Sequence, residues 1–159
     1  MKKLLYISSL LAISIGVVLV FGGLWAVVFT YQNVSQENII TPEDASIPNA
    51  PVRGPFTLHS QANVIRKHTL KSTNGQTYAE MPRQIPKIDE DGDPVLDKEG
   101  NPVMVANETR NMWITATALI TALHLAIITY LFSGLISLLG FISIWTGIVF
   151  GALNKKYSR

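Results

Sequence analysis

The apolar residues of this 159-residue chain gather in two blocks near its ends, and that segregation limits the fold more than any motif does. Leu4–Tyr31 contains no charged residue, and Trp113–Phe150 contains no Asp, Glu, Lys or Arg. A helix needs about 20 apolar residues to cross ~30 Å of hydrocarbon, so the first block spans a bilayer with some tilt. Between the blocks lies a polar stretch, residues 32–111, that is too poor in large apolar side chains to bury a sizeable core alone. It is expected to lean on the membrane, on the chain's own helices or on a partner.

Charge fixes the expected orientation. All eleven acidic residues, from Glu37 to Glu108, lie between the blocks, together with eight basic ones, for a net charge of −3 there. The flanks carry Lys2, Lys3, Lys155, Lys156 and Arg159 and no acid. Basic residues beside a span are retained in the cytoplasm, which puts both ends inside and the polar segment outside. A cleaved signal peptide is the rival for the first block. The apolar run is long for a signal h-region and no small-x-small cleavage site follows it, so an uncleaved anchor is expected.

The second block is overlong. As one helix, Trp113–Phe150 reaches about 57 Å. It is either two spans turning at Ser133-Gly134, giving three crossings in all, or one span, roughly Ile127–Leu153, below a helical stalk that starts near Asn107. Three crossings would place Lys155 and Lys156 outside, and so the stalk is preferred. The expected fold is therefore mainly α and integral to a membrane. It has a transmembrane helix in 1–31, an extracytoplasmic segment over 32–111, a long helix over 112–154 containing the second span, and a basic tail over 155–159.

Small residues recur every four positions, which lets helices approach closely where lipid removes the hydrophobic drive for association. Ser8, Ala12 and Gly16 form one such row, Ala118, Ala122 and Ala126 a second, and Ser143, Gly147 and Gly151 a third. Thr117, Thr121 and His124 share one face of the long helix. An ionisable residue in or near a membrane helix marks a candidate functional site, although a hydrogen bond to a threonine or a partner helix also accounts for it.

In the polar segment, residues 32–55 read as extended linker or surface-hugging strand, with four prolines. A helix is expected over about 57–73. Thr57 is its N-cap, Leu58, Ala62, Ile65 and Thr69 form an apolar stripe, Arg66, Lys67 and Lys71 suit the negative end of its dipole, and Asn74-Gly75 is the stop. Two octads follow over 90–105, Glu-Asp-Gly-Asp-Pro-Val-Leu-Asp and Lys-Glu-Gly-Asn-Pro-Val-Met-Val, and suggest a β-ribbon or two consecutive turns. Asn33-Val34-Ser35 and Asn107-Glu108-Thr109 match the glycan acceptor pattern.

Chemistry is sparse. Without cysteine there is no disulfide, thiolate zinc site or cysteine-held cluster. Asp89, Asp91, Asp93 and Asp97 are the weak metal candidates, because calcium takes several oxygens, but the EF-hand spacing fails. His59, His68 and His124 have no metal-ligand spacing, and no nucleophile elbow, phosphate loop, dinucleotide fingerprint or nucleic-acid-binding surface is present. No cofactor is expected, and catalysis is not.

Three segments carry a resemblance: Pro-Val-Arg-Gly-Pro-Phe-Thr-Leu (51–58), His-Thr-Leu-Lys-Ser-Thr-Asn-Gly-Gln-Thr-Tyr-Ala-Glu-Met (68–81) and Trp-Ile-Thr-Ala-Thr-Ala-Leu-Ile-Thr-Ala-Leu (113–123). Through them the chain resembles a group of small bacterial membrane proteins often labelled aromatic ring-opening dioxygenase. The resemblance implies a bacterial cytoplasmic membrane. Ring opening of that kind takes iron held by a His/carboxylate set, and this sequence offers no such constellation. The expected role is a non-catalytic accessory or structural subunit of a larger membrane complex, with lipid and other membrane subunits as partners and no nucleic acid. A stand-alone sensor or envelope protein binding a ligand or lipid is the alternative, and a component of a membrane oxygenase the third.

Overall fold

The computed structural model of the chain describes residues 2–157. Met1, Ser158 and Arg159 lie outside the described residues, and with them part of the expected basic tail. Three helices and one small sheet follow in order: α1 (Lys2–Gln36), α2 (Pro55–Ser72), β1 (Gln84–Pro86), β2 (Met104–Ala106) and α3 (Glu108–Lys156). Both α1 and α3 are long and apolar enough to cross a membrane. Most of their large apolar side chains point outward, the reverse of a core helix in a soluble protein.

Helix α3 is continuous through Ser133-Gly134 over 49 residues, about 73 Å, so no turn interrupts the second block. Its start is set by Asn107, whose side-chain oxygen accepts the Arg110 N–H at 3.1 Å, as an N-cap does. The same amide donates to the Pro82 carbonyl at 3.0 Å. Asn107 is buried and its side chain is engaged on both sides, which removes it as a glycan acceptor.

Along its lower part α3 runs antiparallel to α1. The contact is built on a seven-residue spacing. Ser9, Gly16, Gly23 and Thr30 are the buried residues of α1, and Ser133, Gly140 and Gly147 face them from α3. A Cβ added to Gly16 would sit 2.6 Å from the Gly140 carbonyl oxygen, and one added to Gly140 would sit 2.8 Å from that of Gly16. Two hydroxyls cross the seam: Ser9 Oγ donates to the Gly147 carbonyl at 2.7 Å, and Ser143 Oγ donates to the Ala12 carbonyl at 2.8 Å. A repeat of seven, slightly short of two helical turns, winds such a pair left-handed at a crossing near ~20°.

Above the end of α1, helix α2 takes over the same side of α3. Leu58 and Ala62 pack with Leu123, while Arg66 lies over Trp113, so α2 also runs antiparallel to α3. Val34, Ile39, Ile120, Ile127 and Tyr130 close this core where the three helices meet. Helix α2 starts two residues before the expected Thr57 cap. Gly54 is the N-cap and Pro55 the first helical residue, a position where the missing N–H of proline costs nothing. Thr57 Oγ1 instead reaches back to accept the Arg53 and Gly54 N–H groups. Beyond α2, Asn74 and Gly75 take positive φ and stop the helix as expected.

Of residues 32–55, expected as extended linker or surface-hugging strand, 32–36 continue α1 and 38–54 form a folded loop whose strand character is one bridge, Ile40–Pro51. The loop folds onto the outer side of α2 around Thr41, which is buried. Its hydroxyl accepts the Ala50 N–H at 2.9 Å and donates to the Ile47 carbonyl at 2.5 Å. Ser60 of α2 accepts the Ile47 N–H and the Ser46 hydroxyl, both at 2.9 Å. Tyr130 Oη donates to the Arg53 carbonyl at 2.7 Å and pins the loop's end beside α3.

The octads meet at the isolated Leu96–Pro102 bridge and through the Val103 N–H to Val95 O bond, rather than along a continuous two-stranded ribbon. Strands β1 and β2 flank them and pair antiparallel, Gln84 with Ala106 and Pro86 with Met104. Two small leaves close around the Gly92 and Gly100 turns, with the bridge Ile88–Pro94 running back to the residues before the first octad and Leu96–Pro102 joining the first octad to the second. Three backbone bonds of 2.8 Å join the leaves in a ring: Val95 N–H to Lys87 O, Val103 N–H to Val95 O, and Lys87 N–H to Val103 O. The three residues lie eight apart. The repeat therefore has a third, truncated unit, Pro86-Lys87-Ile88, matching Pro94-Val95-Leu96 and Pro102-Val103-Met104.

The glycine seam makes a contrast that can be measured. Gly16→Leu or Gly140→Leu forces the backbones apart and is expected to cost about 1–3 kcal/mol in detergent unfolding, the usual range for overpacking. Gly134→Leu, where an added Cβ meets nothing within 4 Å, is expected to leave stability unchanged.

Candidate functional site

The upper part of α3 has one side covered by α2 and the other side open. On the open side Ile114, Thr117, Ala118, Thr121, Ala122 and Leu125 form the floor of a shallow groove of about 580 Å³, closed at its upper end by Tyr78 and Trp113. The aromatic end is rigidly built. Trp113 is buried and its indole N–H donates to the Gln76 carbonyl at 2.9 Å. The Arg110 guanidinium lies 3.6 Å from the centre of the Tyr78 ring while its Nε donates to the Tyr78 carbonyl at 3.2 Å. The residues that form the groove carry no formal charge.

A second groove of about 440 Å³ lies around the corner, at the junction of α1, α2 and α3. Its walls are apolar, from Val34, Ile39, Leu58, Ile65, Leu119 and Ala126, and its polar groups are Asn33, Glu37 and Gln61. Gln61 Oε1 is shielded from solvent and accepts no hydrogen bond from the described residues. Ala122 borders both grooves.

The structure separates the four-residue rows into different roles. Gly16, Gly147 and Gly151 lie in the α1–α3 contact, where Ala12 offers its carbonyl and Ser143 its hydroxyl. Ser8 is half-buried beside the closer Ser9. Ala118 and Ala122 are exposed and face the groove instead of another helix of this chain, and Ala126 sits at the helix junction. Thr117, Thr121 and His124 do share a face, and all three are exposed. Thr117 and Thr121 line the first groove while His124 stands outside it.

The acidic residues of the leaves act as turn formers. Asp89 Oδ1 accepts the N–H groups of Asp91 and Asp93 at 3.1 and 2.9 Å, and Asp97 Oδ1 accepts those of Glu99 and Asn101, both at 2.9 Å. Hydrogen bonds from the Asn101 and Glu99 amides hold the Asp97 carboxyl below its usual range. Among the described residues, no three of the His, Asp and Glu side chains gather in a metal-binding group, Asp89, Asp91, Asp93 and Asp97 included. His59 pairs with Asn63, and His68 with Asp44.

Asp44 ties the 38–54 loop to α2. Its carboxylate accepts from Lys67 Nζ and His68 Nε2, each at 2.9 Å. Lys67 first and His68 second lower its pKa from 3.8 to about 2. Because the folded value is depressed, the contribution is present above the ordinary carboxylate range and is lost as pH falls from about 3.8 through about 2. Amide exchange of residues 42–47 is expected to quicken over that window, and Asp44→Asn is expected to show the faster exchange already at neutral pH.

No protein-family model matches the chain, and neither does any curated protein or solved structure.

Proposed function

We propose that the chain is a non-catalytic accessory or structural subunit of a larger bacterial membrane complex. In this reading α1 and the lower part of α3 cross the cytoplasmic membrane as a hairpin, with Lys2, Lys3, Lys155 and Lys156 on the cytoplasmic side. Tyr31 and Tyr130, which meet Arg53, mark the opposite surface. The 38–106 segment, α2 and the upper part of α3 then stand outside. The bacterial setting follows the resemblance carried by residues 51–58, 68–81 and 113–123.

One observation carries the reading. The open side of α3 stays uncharged and mainly apolar, with Thr117 and Thr121 its polar groups, above the tyrosine level, where lipid no longer covers it. Ile114 is 55% exposed and Leu125 57%, within a helix of which only one side is packed. A contiguous apolar strip in water marks an interaction surface. The strip runs on in register, through Ile128, Phe132 and Leu135, into the span below. A partner helix that crosses the membrane and extends past it covers both parts with one surface, and Ala118 and Ala122 let it approach closely.

The test is affinity purification in mild detergent. The wild-type chain is expected to bring down a defined membrane partner, and Ala118→Trp is expected to reduce recovery at least about tenfold, equivalent to ~1.4 kcal/mol. A purely monomeric chain whose 32–111 segment resists protease unaided would overturn the reading. The second groove favours the alternative, a protein that binds a lipid-like ligand at the membrane surface, because it joins apolar walls to Asn33, Glu37 and the unpartnered Gln61 carbonyl. That alternative is expected to appear in native mass spectra as a retained small molecule lost in Gln61→Leu, with no copurifying chain.

A further inference from the structure

We infer that the three-leaf unit, residues 84–106, is a docking face for a protein whose surface presents an apolar patch bordered by Lys or Arg. The inference rests on the membrane placement proposed above and concerns a surface separate from the α3 groove.

The register builds the face. Residues directly opposite in an antiparallel pair project to the same side, as do residues two apart along a strand. Met104 pairs with Pro86, Ile88 with Pro94, and Leu96 with Pro102. Pro86 and Ile88, Pro94 and Leu96, and Pro102 and Met104 are each two apart. These six relations close on themselves. Three prolines and three large apolar side chains therefore form a ring on one side of the unit, while Lys87, Val95 and Val103 alternate with them. The ring is exposed: Ile88 is 51% accessible, Leu96 56% and Met104 47%. The unit is rigid for its size, because the 2.8 Å backbone ring and the paired aspartate turns fix all three leaves. A flat, stiff apolar ring loses little entropy when it binds.

The surroundings select the occupant. The membrane carrying the helices is out of reach. Glu108 lies 22 residues above Tyr130 on α3, roughly 33 Å away. The outermost turn, at Gly100, is six residues from Ala106 and extends at most about 20 Å. A second copy is disfavoured by charge. The unit, residues 84–106, holds six acids with Lys87 and Lys98, a net charge of −4 that two copies would bring together. Asp89 and Asp97 are occupied in turns, whereas Glu90, Asp91, Asp93 and Glu99 are exposed at the rim. An apolar ring with an acidic rim is complementary to an apolar patch with a basic rim.

The experiment uses the full chain in its native membranes, with a photo-reactive benzoylphenylalanine at Leu96 and, as control, at Lys71 on α2. Leu96 is expected to give one protein adduct that Lys71 does not. The crosslinked peptide is expected to be apolar and flanked by Lys or Arg. The combined variant Glu90→Gln, Asp91→Asn, Asp93→Asn and Glu99→Gln leaves both turn-forming aspartates in place, and is expected to cut that yield at least about tenfold. Unchanged tryptophan emission of the purified variant carrying Trp25→Phe and Trp145→Phe, which leaves Trp113 as the single reporter, confirms that the variant is folded. An adduct with a second copy, an adduct with lipid, no adduct, or an adduct indifferent to neutralisation overturns the proposal. Its failure is distinguishable from that of the subunit reading, since Ala118→Trp tests the groove and leaves the leaves untouched.

Discussion

The close approach of the α1 and α3 backbones at Gly16 and Gly140 is the constraint on which the rest of the structure depends. Helices α1 and α3 are long and apolar enough to cross a membrane, and in hydrocarbon apolar side chains would gain nothing by leaving lipid for one another, so such a pair needs another reason to form. Here the reason is proximity. Glycines every seven residues let main chains come close and leave room for two serine hydroxyls to reach carbonyls across the seam. Each contact is small, and the repeat makes them collective. The pairing also sets the level at which α1 ends beside α3, and hence the level at which α2 can begin.

That level explains why α3 must be so long. Helices α1 and α2 are short relative to α3 and are used one after the other on the same side of it. Each buries its small or apolar face against α3 without touching the other along its length. Among the described residues, the junction of Val34, Leu58, Leu123 and Tyr130 is where three helices share a core, and it lies where the loop from α1 must turn into α2. A broken α3 would separate the two halves of the molecule. Its continuity through Ser133-Gly134 is consistent with Gly134 facing open space while Ser133 is buried in the seam.

The parts of this fold that were legible from the residues are those fixed by local chemistry. The two apolar blocks, the long helix beginning at Asn107 and the Asn74-Gly75 stop need only hydropathy, a cap and a positive φ. The spacing of the helix contact did not follow in the same way, because Gly16 belongs both to a four-residue row with Ala12 and to a seven-residue row with Ser9 and Gly23. Only an antiparallel partner with Gly140 and Gly147 in matching register selects the second row. The three-leaf ring was hidden for a related reason. Its third unit, Pro86-Lys87-Ile88, lacks the Asp and Gly of the others, and only the long-range bond between Lys87 and Val103 reveals it. The grooves were hidden because Ala118 and Ala122 read equally well as packing residues and as surface.

The polar segment, which has no cysteine and few large apolar residues, is held by side-chain-to-backbone hydrogen bonds at its turns. Thr41 organises the first loop, Thr57 the entry to α2, Asp89 and Asp97 the leaves, and Asn107 the entry to α3. Bonds of this kind fix local geometry without a dry interior, because a short polar side chain satisfies amides that a sheet or helix would otherwise have to pair. They also leave the apolar residues of the segment free to face outward. In an ordinary domain Ile88, Leu96 and Met104 would be drawn into a core. Here the turns hold the backbone by themselves, and those side chains remain on the surface.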